Sequence, residues 1–265
     1  MSTKIHATAV IDPAAKLGVD VEIGPFCVVG PNVEIGDRCV LKSHVSIDGR
    51  TKMGTENVVF PFASVGQAPQ DLKYHGEPSE LIIGSRNKIR EYVTMNPGTE
   101  GDAMTTWVGD DSLFMVGVHV AHDCRVGSNI VIANNVALAG HVHVGDCAVI
   151  GGLSGVHQFV KIGHHAMVGA MSMVVADVIP YGLVMGERAH LGGLNLVGLE
   201  RRGFSKEDIN TLRRAYRLLF TPEGTFSERV EEVSRSFAEH EGVQNIISFI
   251  RNDSTRGLCM PKVAE

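Results

Sequence analysis

The eighteen residues IGPFCVVGPNVEIGDRCV, positions 23–40, read as three hexads, each opening with an aliphatic residue followed by glycine. Outward from this stretch the register runs without a slip from Ile5 to Gln70, resumes over 83–100, and resumes again over 108–185. Of the 27 leading positions so defined, only Pro180 is neither aliphatic, Met nor Phe. Such a repeat predicts short flat strands joined by bends. The leading side chain points inward, the glycine permits a sharp turn, and the fifth position holds a small interior residue. Three hexads close one triangular coil, so the chain makes about nine coils, each about 4.8 Å above the last.

Composition agrees with a narrow aliphatic column. Glycine numbers 30 of 265 residues, and aromatic residues make up only 6%. Cys27, Cys39 and Cys124 fall on the small interior position and read as buried spacers, while Cys147 sits one place earlier and Cys259 lies in the tail. An odd number of cysteines without CxxC spacing predicts reduced thiols in a cytosolic protein. The net charge of −6 is spread over both signs, which argues against a nucleic-acid partner. No uninterrupted apolar run approaches membrane-spanning length, and the opening MSTKIHATAV lacks the basic and apolar regions of a secretory signal. A cytoplasmic protein without stable membrane insertion is expected.

Past Arg202 the six-residue rhythm gives way to helical spacing. Ser205 with Asp208, and Thr225 with Glu228, read as helix starts, and Val243, Ile246, Ile247 and Ile250 line a third helix. The chain therefore divides into a mainly β solenoid over 1–190 and a C-terminal α-helical domain over 191–265. Loop excursions interrupt the solenoid at about 71–82 and 101–107.

Eighteen residues per coil convert sequence distance into position. In VHVAHD (118–123), His122 falls in one column with Gly140 and Gln158, and Asp123 falls beside it with His141 and Phe159. His157 flanks Gln158, and His119 joins from the neighbouring bend. Four histidines, an aspartate, a glutamine and a bare glycine backbone thus converge within three coils, which points to an active site. His6, His164 and His165 lie outside this corner and read as solvated surface residues.

The stretches AHDCRVG (121–127), LAGHVHVGD (138–146), VHQF (156–159), DLKYHGEP (71–78), RRGFS (201–205) and STRGL (254–258) carry a resemblance. Nearly end to end, the chain resembles the acyl-[acyl-carrier-protein]–UDP-N-acetylglucosamine O-acyltransferases of lipid A biosynthesis. The resemblance implies a left-handed β-helix, a homotrimer with clefts between neighbours, and acyl carrier protein and a UDP-sugar as partners. It implies transfer of a (3-hydroxy)acyl group from phosphopantetheine to the sugar 3-position, with no acyl-enzyme, cofactor or metal.

By the same resemblance His122 is the general base, Asp123 orients it, and the Gly140 N–H receives the developing oxyanion. Asp71, Lys73, Asn96, His119, His141, His157 and Gln158 are expected to bind substrate. So are Asn195, Arg201 and Arg202, the last as a phosphate ligand through its guanidinium. Ala170 occupies the position of the acyl-chain ruler.

Two departures stand out: the family commonly has Glu at Val197 and His at Asn96. The second leaves open a 3-amino sugar acceptor and an amide product. A zinc enzyme resembling the γ-class carbonic anhydrases is the rival from another chemistry, since those proteins also cluster histidines at a corner. The loop DLKYHGEP and the helical cap have no use in hydrating carbon dioxide.

Overall fold

Each leading residue of a hexad ends a short strand and sends its side chain into the interior. The strands fall into three sheets of eleven, nine and eight members. These form the faces of a left-handed parallel β-helix, and the computed structural model describes residues 3–252 and 254–262. Partners lie one coil apart, as in Ile5 with Ile23 and Val120 with Leu138. Ile23, Leu41, Val59, Ile89, Phe114 and Ile132 stack as one buried column, each contributing about 1.5–3 kcal/mol by leaving water. Cys27, Cys39 and Cys124 are buried in this core as expected, and all five cysteines are free thiols. Other aromatics stack outside: Phe26, His44, Phe62 and Tyr92 form a ladder along one corner.

The bends correct the expected role of glycine. The left-handed backbone falls on the fourth hexad position, at non-glycine residues such as Phe26 (φ 58), Asp123 (φ 57), His141 (φ 62) and Phe159 (φ 66). Glycine at the second position answers a different need. A Cβ on Gly24 would lie 2.7 Å from the Lys42 carbonyl oxygen of the next coil. Close approach of stacked backbones, not a sharp turn, requires it.

Three coils depart from eighteen residues. Met53 pairs with Ile83 and Ile83 with Val108, so two insertions are accommodated. Both leave the helix between the second sheet and the third, at one corner. Strands resume at Glu80 and Thr105, so the final residues of each excursion already pair. The last coil is two residues short: Ile162 bridges Val178, and Val168 pairs with Val184. Val178 and Val184 therefore lead the last two hexads, and the expected register at Pro180 is a slip.

The end of the solenoid is a hairpin of Gly182–Met185 with antiparallel His190–Leu194, so the segment from 191 opens as strand. Four helices follow: α1 (Leu196–Arg201), α2 (Lys206–Leu219), α3 (Phe226–Ser236) and α4 (Glu241–Arg251). Ser205 caps α2, Thr225 and Glu228 complete a capping box on α3, and α1, capped by Asn195, lies ahead of the expected helices. Beyond α4 the chain returns to the solenoid, where Cys259 N–H donates to Asp177 and Asp177 N–H to Gly257. No helix among the described residues is long and apolar enough to cross a membrane.

Candidate active site

The corner between the second and third sheets carries positions three and four of one hexad from each of three successive coils: His122–Asp123, Gly140–His141 and Gln158–Phe159. Coil stacking brings them together as the eighteen-residue column requires, since His141 N–H donates to His122 O and Phe159 N–H to Gly140 O. The imidazole of His122 rises into the space that a side chain on Gly140 would fill; a Cβ there would lie 2.5 Å from His122 Cε1. Ala139 and His141 both donate their N–H groups to backbone carbonyls. Among the described residues Gly140 N–H has no such acceptor. It is left as a donor beside the imidazole.

His122 is 7% exposed and Asp123 1%. Nδ1 of His122 lies 2.9 Å from Asp123 Oδ2. That carboxylate also accepts from the Thr99 hydroxyl at 2.7 Å and the Thr99 N–H at 3.0 Å, while Thr106 Oγ1 accepts from the Asp123 N–H. The acid is thus oriented by Thr99, just before the second excursion, and Thr106, near its end. On the opposite edge of the ring, Asp71 Oδ2 from the first excursion stands 3.8 Å from Nε2. His141 stacks on Phe159 with centroids 4.3 Å apart and meets His122 edge to face at 5.0 Å.

A groove of about 410 Å³ runs beside this column, lined by Asn96, His119, His122, Gly140, His157 and Gln158 among others. His119 pairs with Thr94 Oγ1 at 2.7 Å. Burial, and then the neighbouring charge of His122, pushes its pKa below the usual imidazole value. Asn96 is 5% exposed, and its Nδ2 donates to the Gln67 and Ala68 carbonyls. Its Oδ1 is buried with no acceptor role filled by the protein.

Other expected site residues lie elsewhere on the chain. Lys73 is exposed on the first excursion, its N–H donating to Asp71 Oδ1. Asn195 donates to His165 O, and Arg202 to the carbonyls of Cys147 and Asn129, at a second corner; Arg201 ends α1 there. Ala170 lies exposed at the third corner, beyond Met167–Val168. Within one chain Asn195, Arg201, Arg202 and Ala170, on those other corners, do not reach His122.

His164 and His165 depart from the solvated reading. They are partly buried around Tyr181 and Phe204, and burial, with the charges of His164 and Arg202, lowers the His165 pKa to about 4.

Ring nitrogens of His122 and His141 and an oxygen of Asp123 lie within 4.8 Å of one another, a spacing a metal ion could bridge. The Asp123 oxygens, however, are already engaged by Thr99 and His122, and His141 Nδ1 by Asp102 at 3.0 Å. The donor set is spent on hydrogen bonds that orient two imidazoles. Asp102 was not legible in advance, because it has no coil register. Thr99 lies in the hexad 95–100 and Thr106 in the paired strand Thr105–Val108, but both meet Asp123 only because the insertion between them lengthens the coil.

Comparison with known proteins agrees with this architecture. Residues 14–49 match the bacterial transferase hexapeptide family (six repeats), and 177–259 match the second domain of UDP-N-acetylglucosamine O-acyltransferases. The acyl-[acyl-carrier-protein]–UDP-N-acetylglucosamine O-acyltransferase of Burkholderia orbicola is 49% identical over 97% of this chain and 99% of its own length. That of Paracoccus denitrificans is 55% identical over 77% of each. The solved UDP-N-acetylglucosamine O-acyltransferase of Moraxella catarrhalis is 46% identical and superposes with a TM-score of 0.93, covering 96% of this chain and 99% of that one. Stacked hexads bearing a carboxylate-backed imidazole under a bare glycine define an acyltransferase of the hexapeptide-repeat class. Within that class, the chain belongs to the acyl-[acyl-carrier-protein]–UDP-N-acetylglucosamine O-acyltransferase family.

Proposed function

We propose that this acyltransferase moves a (3-hydroxy)acyl group from acyl carrier protein to the 3-position of UDP-N-acetylglucosamine, the first step of lipid A biosynthesis. The observation that carries the mechanism is the placement of His122, held by Asp123 at Nδ1 and lodged under the Gly140 backbone. His122 Nε2 takes the proton of the sugar hydroxyl while its oxygen bonds to the thioester carbonyl carbon. Negative charge gathers on the carbonyl oxygen, where the Gly140 N–H receives it. The C–S bond then breaks, and the imidazolium returns its proton to the departing thiolate. No acyl-enzyme forms.

In this reading the acceptor occupies the end of the groove near Asn96 and His119, with Asp71 close to His122 Nε2, and the acyl group the end near His157 and Gln158. Asn195, Arg201, Arg202 and Ala170 sit on other corners, so they serve a neighbour's His122 in a homotrimer. A 3-amino sugar and an amide product form the second reading: Asn96 stands where the family commonly carries His, and its unpartnered Oδ1 accepts from a sugar N–H as well as from an O–H.

The test is purified chain with UDP-N-acetylglucosamine and a panel of 3-hydroxyacyl carrier proteins. Transfer to the sugar with release of free carrier thiol is expected. No transfer with any chain length, on either the hydroxyl or the amino acceptor, overturns the reading.

A further inference from the structure

The corner holds two carboxylate–imidazole pairs, and the mechanism uses only one. His141 Nδ1 lies 3.0 Å from Asp102 Oδ2. His141 itself is 12% exposed at its side chain, Asp102 41%. Thr99, just ahead of the second excursion that carries Asp102, donates to Asp123. One short segment therefore backs both imidazoles, three residues apart.

We infer that Asp102 is a positioning residue for the transfer: by accepting from His141 Nδ1–H, it locks the ring that forms the wall beside His122. The inference rests on His122 acting as the base.

The geometry around His141 gives that lock its force. One face of the ring is stacked on Phe159 at 4.3 Å, with an interplanar angle of 7°. Phe159 is pinned from the far side by the tail. Arg256 places its guanidinium 5.7 Å from the phenyl centroid and donates Nε–H to the Gln158 carbonyl at 2.7 Å. The Asp102 carboxylate holds the edge of the imidazole, and His122 abuts it at 89°. Stacking restrains tilt but leaves the ring able to flip by half a turn about Cβ–Cγ and to exchange tautomers. A carboxylate acceptor at Nδ1 removes both freedoms, because only the Nδ1–H form makes the bond. His122 then has a fixed neighbour, and its Nε2 keeps one direction toward the acceptor oxygen. Loss of alignment by a fraction of an ångström at a base is felt in turnover rather than in binding.

The experiment uses the full chain with Asp102→Ala and Asp102→Asn. Side-chain ¹⁵N spectra of histidine-labelled protein report the His141 tautomer, and steady-state kinetics report kcat and KM for both substrates. Expected for Asp102→Ala are loss of the Nδ1–H signal, a fall in kcat of about tenfold, and KM values within about twofold. Asp102→Asn keeps an acceptor oxygen and should recover both the tautomer and most of the kcat. Unchanged kcat or an unchanged His141 signal in Asp102→Ala overturns the inference. So does an Asn variant as impaired as the Ala one. A wild-type protein that transfers no acyl group refutes the proposed reaction instead, while the spectra still decide the pairing.

Discussion

His122 occupies the space that any side chain on Gly140 would claim: a Cβ at 140 would stand 2.5 Å from Cε1 and 2.6 Å from Nε2 of the imidazole. Gly140 is not among the positive-φ glycines, so alanine meets no backbone strain there. Gly140→Ala should therefore fold normally yet push the ring aside and crowd the oxyanion position. A fall in kcat of at least about 100-fold is expected, with an unaltered circular dichroism spectrum. Normal turnover would place the base elsewhere.

Removing the imidazole outright should separate it from the thiol two residues away. His122→Ala is expected to lower kcat by about 10²–10⁴-fold. Cys124 is fully buried, donates to Ala139 O, and its pKa is pushed up to about 12 by burial. Cys124→Ala should cost about 1 kcal/mol of stability and little activity. Iodoacetamide at pH 8 should leave this thiol unmodified, as mass spectrometry of the digested protein would report.

Asn96 tests the acceptor atom. Its Nδ2 donates to the Gln67 and Ala68 carbonyls, so flipping the amide would set an oxygen against those two acceptors. Turnover is compared on UDP-N-acetylglucosamine and its 3-amino-3-deoxy analogue with one acyl donor. A site matched to one group rejects the other strongly, because a buried polar atom is left unpaired. Efficient ester formation with little use of the amine eliminates the amide reading.

Ala170 tests the shared cleft. It is exposed at a different corner of the prism from His122, so one acyl chain can touch both only between two subunits. Ala170→Met should shift the preferred acyl chain to a shorter length, measured by competition among carrier-bound donors. An unchanged preference puts the end of the acyl pocket elsewhere, and a monomer by sedimentation removes the cleft itself.

Acid should destabilise the junction between solenoid and cap. Burial, with the charges of His164 and Arg202, holds His165 at about 4, well below the ordinary imidazole value of 6.5. Between those values the unfolded chain binds the proton and the folded chain does not, so stability falls as pH drops from about 6.5 toward 4. Thermal unfolding across that range should show this decline, and His165→Gln should flatten it. Equal slopes for the two proteins would mean that other groups carry the acid sensitivity.

The coil and its corner were legible because every partner is a fixed number of residues away. Stacking at i and i+18 depends on local backbone repetition, so the hexads predict that His122, Gly140 and Gln158 share a column and that Asp123, His141 and Phe159 share the next. The excursions break that rule. Thr99 meets Asp123 across 24 residues, and Asp102 meets His141 across 39. Neither separation is a multiple of the coil, so no periodicity points to them. Arg256 reaches Gln158 across 98 residues, where only the path of the helical cap sets the contact.

The cap also decides what the repeat misreads. His164 and His165 sit at bends that elsewhere face solvent; the hairpin and α1 bring Tyr181 and Phe204 over them. The two-residue deletion before Val178 is likewise a choice of the final turn, where the last coil must meet the hairpin. Sequence alone determined the parts of this protein whose neighbours recur at constant spacing, because sheet pairing between successive coils is the same interaction repeated. Tertiary structure alone decided the contacts made by loops and tail, because their geometry depends on where the rest of the chain has already gone.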